Sequence, residues 1–199
     1  MHTVAKTSST GFSLVELLVV LALLLILPVM STSRFNTSAR HRALARCQTN
    51  LQKVYLALSI YHSDNGAFPF LKDAPNSAAA LSLLIPKSTT VTEMFICPGS
   101  HDPELPEGER FANRRISYAY YMGRAADGSP ADILLSDWQV NTAPKRSGEQ
   151  VFSPDGKKPA NNHYAEGGNL VSRGGEISAC TPKASRDLMF VQPVALLNP

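Results

Sequence analysis

The 199-residue chain has little of what most functional signatures are built from. Its three cysteines, Cys47, Cys97 and Cys180, are too few for a disulfide scaffold and lack the Cys-x-x-Cys spacing of a zinc or redox motif. The formal net charge is only +3 with Lys and Arg scattered, which removes the clustered basic face of a nucleic-acid binder. No serine lies in a Gly-x-Ser-x-Gly elbow, and Gly167-Gly168 and Gly174-Gly175 read as turns rather than phosphate cradles. Nucleophilic and nucleotide chemistry both lack their parts, so no enzymatic activity is expected. Hydrophobic residues at 44% and charged residues at 18% are ordinary for a globular protein, so composition alone names no function.

What is present is unevenly placed. Phe12 to Met30 is nearly continuous hydrocarbon, whereas the last 130 or so residues are rich in Pro, Gly, Asn and Ser. As a helix, the apolar stretch would be about 28 Å long, close to the hydrocarbon thickness of a bilayer. Lys6 before it and Ser31-Thr32-Ser33 after it also fit a secretory signal peptide. Glu16 argues against that alternative: an ionisable group inside an apolar segment costs several kcal/mol and is seldom placed there without a use.

The run Gly11-Phe12-Ser13-Leu14-Val15-Glu16-Leu17-Leu18-Val19-Val20 resembles the processing and methylation motif of type IV prepilins and of the pseudopilins of type II secretion systems. The resemblance implies cleavage between Gly11 and Phe12 by a membrane-embedded prepilin peptidase and N-methylation of the new Phe12 amine. Glu16, one helical turn along, would compensate that amine within a subunit or between neighbours in a filament, and so set the stagger of assembly. Arg34, Arg40, Arg42 and Arg46 follow the apolar run while Lys6 alone precedes it, which a positive-inside count would read as the opposite topology. Recognition of the leader on the cytoplasmic face fixes orientation more directly, and long domains translocate largely regardless of flanking charge.

Beyond Met30, Leu44, Cys47, Leu51, Val54, Tyr55, Leu58 and Tyr61 or His62 recur at steps of three and four, one amphipathic face. Arg46, Gln48, Asn50, Gln52, Lys53 and Ser59 are expected to face outward. Asp64-Asn65-Gly66 supplies a stop and Pro69 prevents resumption. The reading is a single helix from about Ser13 to Asp64, with Pro28 expected to kink it or to break it at the membrane boundary. The stretch from Arg46 to Tyr61, followed by Asp64-Asn65-Gly66-Ala67-Phe68-Pro69, also resembles the region after the anchor in major pseudopilins.

In the remainder, Asn76 or Ser77 can cap a short helix through Ile85, stopped by Pro86. Strands are expected at Met94 to Cys97, Ile116 to Met122, Ile133 to Trp138 and Leu170 to Ser178, the last folded at Gly174-Gly175. Turn-rich loops, Pro98 to Asn113 and Asn141 to Asn162, separate them. The expected fold is α+β: a long N-terminal helix, transmembrane in its first half and amphipathic in its second, packed on a small antiparallel sheet. Its parts are a leader (1–11), a membrane or filament-core helix (12–30), its amphipathic continuation (31–64) and an exported domain (65–199).

Phe95-Ile96-Cys97-Pro98 followed by Ser117-Tyr118-Ala119-Tyr120 resembles a variable group of bacterial pseudopilin-like proteins in which a His is followed, after nine residues, by Asp-Gly. His163 begins such a stretch, but Arg173-Gly174 stands where Asp-Gly would be. His163 invites a metal or catalytic role, with Asp137, Asn161, Asn162 and Glu166 as possible neighbours. No His-x-x-x-His pair or carboxylate cluster accompanies it, so it is read as a hydrogen-bonded loop residue and no metal site is assigned. Some major pseudopilins hold calcium, but Asp127-Gly128-Ser129 and Asp155-Gly156-Lys157 lack repeated oxygen donors, so no cofactor is expected. In an exported domain one disulfide with one thiol left over is the simplest arithmetic. Cys97 with Cys180, Cys47 with Cys97, and three free thiols all remain open.

Together these features predict a structural subunit of a type IV pilus-like or type II secretion pseudopilus filament. It would be a single-pass protein of the bacterial inner membrane, N-terminus cytoplasmic and C-terminal domain periplasmic or extracellular. The partners implied by the resemblance are identical or related subunits, the prepilin peptidase, and an inner-membrane assembly platform with its ATPase. The alternative is a membrane-anchored, exported binding module that uses a pilin-type leader.

Overall fold

The computed structural model describes residues 13–125 and 127–199, without the side chains of 27–37. Gly11 and Phe12 lie outside the described residues. The chain divides into two compact units, Met1–Ala39 and Arg40–Pro199.

Helix α1, Leu14–Asn65, runs through both units as one element, in agreement with the extent expected from periodicity. Pro28 falls inside it, and its side chain lies outside the described residues. In the first unit the apolar side chains from Leu14 to Ile26 are exposed around the helix. Among the described residues no helix is long and apolar enough to cross a membrane. The expected span 12–30 includes Phe12 and the side chains of 27–30, which are not among them.

In the second unit α1 ends where the sequence signals it. The Asn65 side chain donates to the Tyr61 carbonyl at 2.8 Å, and the Gly66 N–H donates to the His62 carbonyl at 2.8 Å. Gly66 takes a φ of 72°, the left-handed conformation that glycine adopts without steric cost. Helix α2, Ser77–Leu81, is capped by Asn76, whose side chain accepts from the Ala79 N–H at 2.9 Å. A 3-10 turn, Ser82–Leu84, follows it.

Five strands, β1 (Tyr118–Met122), β2 (Ile133–Asp137), β3 (Gly168–Ser172), β4 (Ile177–Cys180) and β5 (Ala195–Leu197), form one antiparallel sheet in the order β4-β3-β2-β1-β5. The hairpin between β3 and β4 turns at Gly174-Gly175 as expected, with Gly175 at a φ of 85°. One expectation is corrected and one strand is added. Met94 to Cys97 is not a strand: Glu93–Phe95 forms a 3-10 turn that buries the adjacent Met94 and Phe95 together, which a strand's alternation would not do. β5 was not anticipated, being three residues long.

Alternation on β1 divides the interior. Tyr118, Tyr120 and Met122 face Cys47, Leu51, Val54 and Leu58 of α1, while Ala119 and Tyr121 join Val151, Phe152 and Leu170 on the other side. A register shift between Ile133 and Leu135 lets consecutive Leu134 and Leu135 both enter the helix-side core. The sheet is thus a middle layer, with the amphipathic part of α1 on one face and the loops that follow β2 and β4 on the other. Gln48 and Asn50, expected to face outward, instead tie α1 to the domain: Gln48 donates to the Asn169 side chain and Asn50 to the Ile96 carbonyl, both at 3.0 Å.

Candidate functional site

At the N-terminus of α1, Ser13 occupies the cap position and Glu16 the third helical one. The Glu16 carboxylate accepts from the Ser13 N–H at 2.9 Å, one arm of a capping box, which satisfies a donor that helix geometry leaves without an intrahelical partner. A carboxylate here also complements the positive end of the helix dipole. Glu16 is therefore held against the Ser13 backbone at the start of the helix.

A second cluster lies deep in the second unit. Cys47 comes from the inward stripe of α1, Cys97 from the segment after the 3-10 turn at 93–95, Asp137 from the end of β2, and His163 from the loop before β3. One ligand atom from each, the two Sγ, an Asp137 oxygen and a His163 ring nitrogen, lies within 4.8 Å of the other three. The four residues are 0, 0, 1 and 3% exposed, so the cluster is closed to solvent. Cys47 Sγ donates to Asp137 Oδ1 at 3.1 Å, His163 Nε2 is 3.2 Å from Asp137 Oδ2, and Cys97 Sγ is 3.5 Å from His163 Nε2.

Surrounding groups fix each member. Asp137 Oδ2 accepts from the Asn169 backbone N–H at 2.7 Å and from its side chain at 3.0 Å, while Oδ1 accepts from Asn162 at 3.1 Å. Cys97 Sγ accepts from the Gly99 N–H at 3.3 Å, and the Cys97 N–H donates to Ser117 Oγ at 2.9 Å. Ser117 in turn donates to Asp102, which Arg115 holds at 2.7 Å. Near His163, the Arg40 guanidinium lies 4.5 Å from the centre of the Tyr164 ring, and His41 lies 3.8 Å from Glu166. Gly99 permits a close approach: a Cβ there would fall 2.3 Å from the Asn162 carbonyl oxygen and 3.0 Å from His163 Nδ1.

Burial alone would raise the Asp137 carboxyl, but the facing His163 charge and hydrogen bonds from His163, Cys47 and Asn162 hold it below the usual carboxylate value. Burial would depress His163, but the Asp137 charge, with hydrogen bonds to Asp137 and Cys97, takes it up to about 10. Burial pushes the Cys47 thiol well up, and hydrogen bonding from Cys47 and His163 brings Cys97 down against its own desolvation.

The geometry separates two kinds of chemistry. A nucleophile-base-acid relay uses both ring nitrogens, one toward the nucleophile and one toward the acid. Here Cys97 and Asp137 both address Nε2, and buried Nδ1 has no hydrogen-bond partner. Convergence of all four side chains on one point, without access from outside, is the arrangement of a ligand set.

Of the residues expected to matter, Glu16 is placed at the helix start, His163 meets Asp137, which Asn162 also contacts, and the Glu166 N–H donates to the His163 carbonyl at 3.2 Å. The Asn161 side chain instead donates to the Gly156 carbonyl, and the Glu166 carboxylate faces His41. All three cysteines are free thiols. The Cys97–Cys180 pairing is corrected: Cys180 belongs to the core on the far side of the sheet from Cys47 and Cys97. At the two loops weighed and set aside for calcium, the Gly128 and Ser129 carbonyls accept from the Arg173 guanidinium, and Asp155 faces Lys157 at 3.7 Å. Local spacing carries no trace of this cluster, because the partners are remote along the chain: Cys47 and Asp137 are 90 residues apart, Cys97 and His163 66. A signal was available in Asp137, an acid ending a strand that begins Ile133-Leu134-Leu135 and is buried throughout, and in Cys47 on the buried stripe of α1.

Comparison with known proteins bears on the first of the two sites. Residues 6–27 match the family model of the prokaryotic N-terminal methylation motif, the leader signature of type IV pilins and pseudopilins. The chain therefore carries a type IV pilin-like leader, with Gly11, Phe12 and Glu16 inside the matched stretch. No curated protein and no solved structure matches the chain.

Proposed function

We propose that the chain is a non-enzymatic structural subunit of a type IV pilus-like or type II secretion pseudopilus filament. The observation that carries this reading is the methylation motif at 6–27, continued by a helix whose apolar side chains from Leu14 to Ile26 are exposed on every side. Such a surface needs a hydrocarbon solvent or other helices around it. In this reading the helix lies in the inner membrane, the peptidase cuts after Gly11 and methylates Phe12, and the domain is exported. Helices of successive subunits then pack side by side. The contact is head-to-tail and does not close, so it propagates as a helical filament. Glu16 supplies the charge that meets the Phe12 amine of a neighbour, and this pairing fixes the stagger. Prepilin peptidase, an assembly platform and its ATPase are the partners this role requires.

Mass analysis of the mature N-terminus tests the reading. A chain beginning at N-methylated Phe12 supports it, and one beginning near Thr32 or Ser33 removes it.

A further inference from the structure

We propose that Cys47, Cys97, Asp137 and His163 bind one zinc ion through the two Sγ atoms, a carboxylate oxygen and Nε2. The inference rests on the second unit alone and does not depend on filament assembly.

Three observations carry it. The first is composition: two thiolates, an imidazole and a carboxylate are the donors zinc takes in closed tetrahedral sites. The second is spacing. Zinc–ligand lengths of about 2.0–2.3 Å place tetrahedral ligand atoms about 3.3–3.8 Å apart. Three contacts lie at or near that range, 3.1 Å from Cys47 Sγ to Asp137 Oδ1, 3.2 Å from His163 Nε2 to Asp137 Oδ2 and 3.5 Å from Cys97 Sγ to His163 Nε2, and all four ligand atoms fall within 4.8 Å of one another, a spread that an ion would draw in. The third is the surrounding shell. Asn169 and Asn162 orient the carboxylate, and the Gly99 N–H donates to Cys97 Sγ, as outer groups do around bound metals. Without the ion, the Cys47 thiol contacts Asp137 Oδ1 at 3.1 Å and the Tyr118 hydroxyl at 3.3 Å, and Cys97 Sγ lies 3.5 Å from the imidazole.

Four protein ligands and no exposure leave no open coordination position, so the ion is structural rather than catalytic. Its ligands come from α1, the segment after the 3-10 turn, β2 and the loop before β3. One ion would therefore join the helix, the sheet and both long loops. A site of this kind contributes to folding directly, since its ligands are dispersed in the unfolded chain.

The test uses the full chain, without a polyhistidine tag, solubilised in detergent and purified with zinc present. Elemental analysis is expected to find about one zinc per chain, and chelation to lower the melting temperature of the wild type. Cobalt exchanged into the wild-type chain is expected to show tetrahedral d–d bands of high intensity and a thiolate-to-cobalt charge-transfer band. Cys97→Ser should weaken the charge-transfer band and cut zinc retention at least about tenfold. The cobalt spectrum is decisive without any variant, so a misfolded variant does not protect the proposal. A folded wild-type chain with less than about a tenth of a zinc per molecule, a cobalt spectrum without the thiolate band, or a Cys47–Cys97 disulfide in non-reducing peptide maps would each overturn it.

Discussion

Leu17, Leu21 and Leu24 are each more than half exposed, whereas Leu51 and Leu58, the same residue type in the same helix, are wholly buried. Hydrophobicity is equal at these positions; what differs is the pattern around them. Between Cys47 and Leu58 the apolar residues keep to one stripe, and the sheet presents Tyr118, Tyr120 and Val171 to cover it. From Leu14 to Ile26 they surround the helix, so no single sheet face could cover them all. A helix of the first kind is completed by its own chain. The second kind must be completed by something else, which is why the leader motif and the apolar segment belong together in one functional account.

Changing Glu16 should sharpen this contrast most. Glu16→Ala is expected to abolish incorporation into sheared filaments, while the urea stability of the detergent-solubilised chain moves by no more than about 0.5 kcal/mol. Loss of both would show that the two parts of α1 are not separable. Next in size, Leu58→Ala should cost about 2–5 kcal/mol in the same titration, because the truncated site lies in a close-packed core. Leu24→Ala should cost less than about 0.5 kcal/mol there. Equal losses from the two leucines would break the comparison. Gly175→Ala would place a Cβ 2.7 Å from the Tyr55 ring on a backbone at φ 85°, and is expected to cost about 1–3 kcal/mol by thermal melting.

A smaller effect concerns pH. Asp137 is held below its unfolded value, so its contribution is complete above about pH 4 and is lost as pH falls through the folded value. In metal-free chain this limb should be no steeper than about 1.4 kcal/mol per pH unit, and Asp137→Asn should flatten it. The smallest change is Asn76→Ala, which removes the α2 cap and should cost about 1 kcal/mol by denaturant titration.

Legibility in the sequence followed the range of the interactions. The extent of α1, the cap at Gly66 and the turn at Gly174-Gly175 are written in neighbouring residues, through helical period and the need for positive φ. Phe95-Ile96-Cys97 looked like a strand because a short apolar run does not distinguish an extended segment from a tight turn that buries its residues together. β5 escaped because three residues beside Pro193 carry almost no local signal, and its existence depends on the free edge of β1. Gln48 and Asn50 were misassigned for a related reason: polarity suggested solvent, whereas their partners are polar groups elsewhere on the domain. The buried cluster required the whole topology, since four separate elements each supply one side chain.

The pairing of β5 with β1 bears on the order in which the sheet closes. Tyr120, Tyr121 and Met122 pair with Leu197, Leu196 and Ala195, so the sheet stays one strand short until a segment far along the chain from β1 joins it. Asn198 adds to the same closure, since its backbone carbonyl accepts from Ser77 and its side chain exchanges hydrogen bonds with the Gln139 backbone. Pairings between such distant segments form late and slowly. The domain therefore cannot close its sheet on local contacts alone, because the edge strand beside β1 comes from a remote part of the chain.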